Sequence, residues 1–241
     1  MRTTNIGIIF DGDDTLWANQ TIYIQAKKKF FREMADLGFN PSEVERRFEK
    51  IDIDNVSHLG FSQIRFPKSM SDTYKIFCME NNRAYDDLVM RNMEVIGHST
   101  FKKKPKMFDG VIQVLQKLNS QNLKLILATK GDRAVQENKV LILNLKPYFH
   151  HIYFLPEKGD REFSIIAKEC NLNSHMSWSI GNSIKSDINP ALRIGMQAIL
   201  LQKKTWAFEE EVPFEKERLF KARSMRDAFK ILKTHIVGIK I

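Results

Sequence analysis

The chain reads as an α/β protein: a doubly wound parallel sheet with an all-helical bundle inserted after its first strand. Three observations predict this. Ile6–Phe10 (IGIIF) is a continuous apolar run rich in β-branched and aromatic residues, as a buried strand requires. From about residue 107 onward, apolar strands alternate with amphipathic helices, the pattern of parallel β-α units wound on one sheet. Between these parts, residues from about Asn19 to Gly97 show no clear strand and carry apolar residues at helical spacing.

The bundle is expected to hold helices over Ile22–Leu37, Ser42–Ile53, Lys68–Met79 and Tyr85–Ile96. Breaks at Gly38–Pro41, Phe66–Pro67 and Asn81–Asn82 separate them. The segment Leu59–Lys68 (LGFSQIRFPK) is expected as a non-helical turn. After the polar connector His98–Lys106 come helix Met107–Leu118, strand Leu123–Ala128 and helix Arg133–Leu143. Strand His151–Leu155, helix Glu162–Cys170, strand Met176–Ile180, helix Ile188–Ile194, strand Gln197–Leu201 and helix Ser224–Lys233 complete the series. The expected division is a core of residues 1–17 with 105–241 and a helical insertion of residues 18–104. Two chain crossings of this kind make a natural hinge for a lid.

The chain has 241 residues, 43% of them hydrophobic, enough for one sizeable core plus an insertion. The net charge of +9 is spread along the chain and interleaved with acids, so a solvated surface is expected rather than a nucleic-acid face. The two cysteines, Cys78 and Cys170, lie far apart without CxxC spacing, which points to a reducing compartment and no structural metal site. No run approaches the ~20 apolar residues of a membrane span. A soluble, cytoplasmic protein without membrane or nucleic-acid partners is expected.

Polar residues gather directly after the apolar runs. Ligands of a parallel sheet bind where strand ends form a crevice, so these residues are expected to converge. Asp11 and Asp13 stand two apart at a strand end in IIFDGDDT, with Gly12 between them permitting a sharp turn. Leu16 stands where an EF-hand loop needs glycine, which excludes that motif. Thr129 ends LILAT ahead of Lys130, Gly131 and Asp132 at a helix start, where a hydroxyl and a backbone N–H make an anion site; alone, Thr129 is an ordinary helix cap. Lys158, before a helix, would supply a fixed positive charge. Asn182 and Asp187 follow SWSIG and add the hard oxygens that Mg²⁺ prefers, although Asp187 alone also suits a helix cap. Two carboxylates, a hydroxyl, an ammonium and a second acidic cluster suit magnesium-assisted attack on a phosphoryl group.

With these residues in place, the chain resembles the haloacid dehalogenase (HAD) superfamily of hydrolases over essentially its whole length. Asp11–Thr15 resembles its first motif, Thr129 its second, Lys158 with Phe163 its third, and Gly181–Asp187 its fourth. The stretches TKGD, GNSxxSDINPAL and the later Thr205, Trp206 and Glu209 resemble one branch of that superfamily. The insertion between the first and second motifs resembles its C1-cap class. The resemblance implies a Rossmann-like core of strand order 5-4-1-2-3. It implies that Asp11 is the nucleophile, that Asp13 is general acid–base and a carbonyl ligand to Mg²⁺, and that Thr129, the Lys130 N–H and Lys158 hold the phosphoryl oxygens. Asn182 and Asp187 would complete the Mg²⁺ site with Asp11 and Asp13. Asn182 stands where the commonest pattern has Asp, which removes one negative charge and implies a weaker site.

The implied activity is a Mg²⁺-dependent phosphatase acting on a small phosphorylated metabolite. A phosphomutase shares the same chemistry. A 2-haloacid dehalogenase typically lacks an acid two residues after the nucleophile, so Asp13 favours phosphoryl chemistry. A non-catalytic phosphate-sensing or interaction protein is the alternative of a different class. For substrate selection, Trp17 is expected either on an apolar part of the substrate or in the core. Arg65 is expected either at a second anionic group or in a loop packed into the bundle.

Overall fold

A computed structural model describes residues 5–203 and 205–236. Its contacts divide the chain into two units, Met1–Gln20 with Pro105–Ile241 and the insertion Thr21–Lys104. Strand β1 (Gly7–Phe10) is buried at every position, and β2 (Trp17–Ala18) follows it. The insertion then supplies α1 (Gln20–Asp36), α2 (Pro41–Asp54), α3 (Val56–Leu59), α4 (Arg65–Glu80) and α5 (Asp87–His98). The chain resumes with β3 (Lys106–Met107), α6 (Val111–Asn119), β4 (Lys124–Lys130), α7 (Arg133–Ile142), β5 (His151–Leu155) and α8 (Asp160–Glu169). It ends with β6 (Trp178–Gly181), a π-helical turn over Ile184–Ile188, α9 (Asn189–Arg193), β7 (Gln197–Leu201), β8 (Leu219–Ala222) and α10 (Met225–His235).

Six strands form one sheet in the order β5-β4-β1-β6-β7-β8, parallel throughout. Leaving out the two strands of the small ribbon, this is the expected Rossmann-like 5-4-1-2-3 order with β8 added beyond the fifth strand. β1 lies inside the sheet, and its alternating side chains serve two cores. Ile8 and Phe10 join Val111, Leu115, Trp178 and Leu232 on one face, while Ile9 packs with Ile126, Phe163, Ile166 and Met196 on the other. A strand covered on both faces has no solvent side, hence its unbroken apolar run.

Four local expectations need correction. Residues 219–222 form an edge strand paired to β7 from Ala198↔Leu219, too short to show periodicity. Trp17 and Ala18 pair antiparallel with Met107 and Lys106, so Met107 belongs to a ribbon and α6 starts only after Gly110. The expected helix Ile188–Ile194 is split between the π-helical turn and α9. Pro67 does not break the fourth helix but lies in its first turn, where its missing N–H is not needed, so that helix starts at Arg65.

The insertion has its own apolar centre, in which Phe30, Phe48 and Phe66 pack with Met34, Met70 and Phe77. The Asn40 side chain caps α2 by accepting from the N–H groups of Ser42 and Glu43, and Asp86 does the same for α5 at Leu88 and Val89.

Candidate active site

The end of β1 is fixed by its neighbours. Asp11 N donates to Ile180 O at 2.9 Å, extending the β1–β6 ladder past the strand. The chain then turns tightly around the Gly12 carbonyl, which accepts from Leu16 N at 2.8 Å and Thr15 N at 3.2 Å. A Cβ at Gly12 would lie 2.4 Å from the Trp17 ring and 3.0 Å from Thr129 Oγ1, so only glycine passes. Asp14 adopts a left-handed backbone at φ 58°, and its carboxylate accepts from Asn19 N and Gln20 N at 2.9 Å, closing the loop.

At this edge two buried carboxylates share one ammonium. Lys158 Nζ lies 2.7 Å from Asp11 Oδ1 and 2.6 Å from Asp187 Oδ1. Asp11, Lys158 and Asp187 are 9%, 5% and 1% exposed, so a net negative charge is held almost out of water. Burial, then the Asp187 carboxylate, pushes the Asp11 carboxyl up to about 7, against the pull of Lys158. Burial works against the Lys158 ammonium, yet the two carboxylates hold its pKa above the ordinary lysine value.

Asp187 is placed by the turn that carries it. Its Oδ2 accepts from Ser183 N at 2.9 Å, and its carbonyl accepts from Ser179 Oγ at 2.8 Å. A Cβ on Gly181 would fall 2.2 Å from the Asp187 carboxylate, so this close approach also demands glycine. Asn182 Oδ1 accepts from Thr15 Oγ1 at 3.3 Å, which joins the first and last of the four polar stretches.

Asp13 is held by donors that its sequence neighbourhood does not announce. Its Oδ1 accepts from Trp17 Nε1 and, at 2.7 Å, from Lys139 Nζ; its Oδ2 accepts from Gln136 Nε2 at 2.9 Å. Gln136 and Lys139 are one turn apart on α7, a polar pair at i, i+3 just after TKGD that could have signalled them. Trp17 is fully buried, packed with the core on one side and bonded to Asp13 on the other.

Thr129 is buried, and its Oγ1 has no hydrogen-bond partner among the described residues. Lys130 directs its ammonium to Ser186 Oγ at 2.8 Å and to Glu209. Arg65 is not in the expected turn. It starts α4, is 7% exposed, and pairs with Asp52 inside the helical unit.

The donor set fits Mg²⁺ chemically. Asp11 and Asp187 offer hard carboxylate oxygens around an uncompensated negative charge, and Asn182 adds an amide oxygen close by through Thr15. Among the described residues no group of three or more His, Cys, Asp or Glu side chains gathers as a metal cage. Such a set suits an ion that keeps several of its waters.

The parallel sheet thus gathers acids, a threonine, a lysine and a second acidic turn on one edge. The chain belongs to the haloacid dehalogenase-like hydrolases, whose family model matches residues 8–201. Among curated proteins it is similar to the glyceraldehyde 3-phosphate phosphatase of Methanocaldococcus jannaschii, 24% identical over 94% of this chain and 98% of that one. The protein of the same name from Methanopyrus kandleri is 21% identical over 81% of this chain and 83% of that one. Among solved structures, a haloacid dehalogenase-like family hydrolase from Xanthomonas campestris superposes at a TM-score of 0.79 with 21% identity, covering 99% of this chain and 95% of that one. A putative hydrolase of the family from Bacillus subtilis, bound to magnesium, gives 0.65 at 15% identity over 95% and 99%. These structures share the fold. Among the described residues no helix is long and apolar enough to cross a membrane.

Proposed function

We propose that this hydrolase is a Mg²⁺-dependent phosphatase that cleaves a small phosphorylated metabolite through an aspartyl-phosphate on Asp11. One observation carries the reading: Asp11 and Asp187, distant in sequence, meet at the Lys158 ammonium at 2.7 and 2.6 Å on the sheet edge that ends β1.

In this reading an Asp11 carboxylate oxygen attacks phosphorus as the ester P–O bond breaks, and Asp13 gives a proton to the leaving alkoxide. Asp13 then takes a proton from water, which attacks the aspartyl-phosphate, releases inorganic phosphate and restores Asp11. The Gln136, Lys139 and Trp17 contacts keep Asp13 aimed through both steps. Thr129 Oγ1, the Lys130 N–H and Lys158 donate to the phosphoryl oxygens as charge shifts between them. The partnerless hydroxyl of Thr129 supports this role: a stranded buried donor costs about 1–3 kcal/mol, relieved when a phosphoryl oxygen accepts from it. Asp11, Asp187, Asn182 and the Asp13 carbonyl would hold Mg²⁺, which supplies charge neutralisation when bound.

The helical unit serves as a C1-type cap that selects the substrate, since the phosphoryl end is common to all phosphomonoesters. Arg65 contributes there by fixing α2 to α4 through Asp52. The curated relatives make a three-carbon aldehyde phosphate the first probe. Asp13 separates this reading from a 2-haloacid dehalogenase. Cys78 and Cys170 are both free and buried, in keeping with a reducing cytoplasm.

Purified protein should release inorganic phosphate from glyceraldehyde 3-phosphate or from another member of a phosphomonoester panel, with Mg²⁺ and not without it. Asp11→Asn should abolish release. Unchanged turnover by that variant would overturn the nucleophile, and no release from any panel member would overturn the phosphatase reading.

A further inference from the structure

The acids after Trp206 have no part in the proposed chemistry, yet one of them is built into its frame. Glu209 ends a short 3-10 turn at Ala207–Glu209, in the connection between β7 and β8. Its side chain is 14% exposed and its Oε1 lies 2.5 Å from Lys130 Nζ. Its Oε2 accepts from Ser183 Oγ at 2.6 Å and from Ser186 Oγ at 2.5 Å. The Lys130 ammonium can only donate, and each hydroxyl already accepts one bond, Ser183 Oγ from Ser186 N at 2.9 Å and Ser186 Oγ from Lys130 Nζ at 2.8 Å, leaving its hydrogen for Glu209. Three donors converging on one carboxylate favour its ionised form. Burial pushes Glu209 up, but Lys130 and the two serines hold its carboxyl below the usual glutamate range.

The partners sit on two separate pieces of the proposed site. Lys130 is the last residue of β4, and its N–H and the neighbouring Thr129 face the phosphoryl group in the proposed mechanism. Ser183 and Ser186 belong to the turn that carries Asp187, and Ser183 N is the donor to Asp187 Oδ2. Lys185 Nζ adds a bond to Phe208 O at 3.2 Å, and Asn189 Nδ2 bonds Glu211 Oε2 at 2.8 Å, so the strap lies along this turn.

We propose that Glu209 is a positioning residue, a carboxylate cross-brace that fixes the phosphoryl-binding end of β4 against the metal-side turn of Asp187. This rests on the phosphatase reading for its catalytic meaning. The brace sets the spacing between the donors to phosphate and the acid beside the cation, without touching substrate.

The test uses Glu209→Gln, Lys130→Met and the double variant, which removes both charges together and so strands neither. In the double variant, amide exchange over residues 182–188 should rise about 10-fold against the rest of the sheet unit, with little change in melting temperature. Mg²⁺ affinity by calorimetry should fall about 10-fold, and kcat about 10-fold with KM within about threefold. Coupling should also appear, with the double variant no worse than Glu209→Gln alone. Wild-type exchange, Mg²⁺ affinity and kcat in a folded double variant would overturn the brace, as would a loss confined to melting temperature. Wild-type protein that binds Mg²⁺ yet hydrolyses no ester would refute only the phosphatase reading, leaving exchange and Mg²⁺ affinity to decide on the brace. If the wild type bound no Mg²⁺, the exchange result alone would decide it.

Discussion

Replacing Lys158 with Met removes the ammonium that two buried carboxylates share and keeps the bulk of its stem. At 2.7 and 2.6 Å, each attraction is about 6 kcal/mol at an effective dielectric of about 20, set against several kcal/mol for desolvating the ammonium. Without it, Asp11 and Asp187 keep oxygens that both reached one nitrogen, hence at most about 5 Å apart, and repel by at least about 3 kcal/mol when both are ionised. Breaking a buried pair in this way destabilises by about 3–5 kcal/mol. The loss must depend on pH. Stripped of Lys158, the Asp11 carboxyl, already held above its unfolded value by burial, is pushed higher still, so its contribution is intact in acid and lost as pH rises. Urea denaturation of metal-free protein would measure this, followed by fluorescence, because Trp17, Trp178 and Trp206 all lie in the sheet unit. The expected loss is about 3–5 kcal/mol near pH 8 and below about 2 near pH 5. A loss under about 1 kcal/mol near pH 8, or an equal loss at both values, would refute the charge argument.

Other outcomes follow from the same geometry. Asp11 has its carboxyl pushed up from 3.8 to about 7 by burial, so its protonation supports the metal-free fold fully below the lower value and is lost as pH rises through the upper. Mg²⁺ competes with that proton, so the rise in melting temperature on adding Mg²⁺ should be larger near pH 8 than near pH 5; the reverse order would contradict the site. Gly181→Ala sets a methyl 2.2 Å from the Asp187 carboxylate and should cut kcat by about 100-fold or more, while near-normal turnover would show that the turn can yield. Trp17→Phe keeps a ring in the core but leaves a small void and loses the bond to Asp13, so kcat should drop about 10-fold with a stability loss of about 1–2 kcal/mol, checked by kinetics and chemical denaturation. Thr129→Val removes a hydroxyl that has no partner before substrate arrives, so stability should hold or rise slightly while kcat/KM falls about 100-fold; a clearly destabilised protein would mean the hydroxyl is already satisfied.

The sheet and the acids on its edge were legible because a strand covered on both faces leaves an unbroken apolar run, and the residue after such a run sits at the edge. Asp11 and Thr129 announce themselves this way, while Lys158 and Asp187 stand a few residues beyond β5 and β6. What escaped is held by contacts remote in sequence. Gln136 and Lys139 read as the polar face of an ordinary helix until α7 returns beside the first loop and turns that face to Asp13. Glu209 stands out in the sequence only through the resemblance, and its contacts do not, because its partners are 79, 26 and 23 residues away. The ribbon strands have two residues each, below any period. Arg65 was misread because a proline suggested a break where it instead opens a helix, and the buried Asp52 that neutralises it sits on a different helix.

The ribbon of Trp17–Ala18 with Lys106–Met107 means that the helical insertion leaves and re-enters the sheet unit through one doorway. Its two ends are stitched together before any helix begins, so an insertion of another length or shape could be grafted there at little loop-closure penalty. One jamb of that doorway is Trp17, which also grips Asp13. Any such graft must spare the tryptophan that keeps the acid in register.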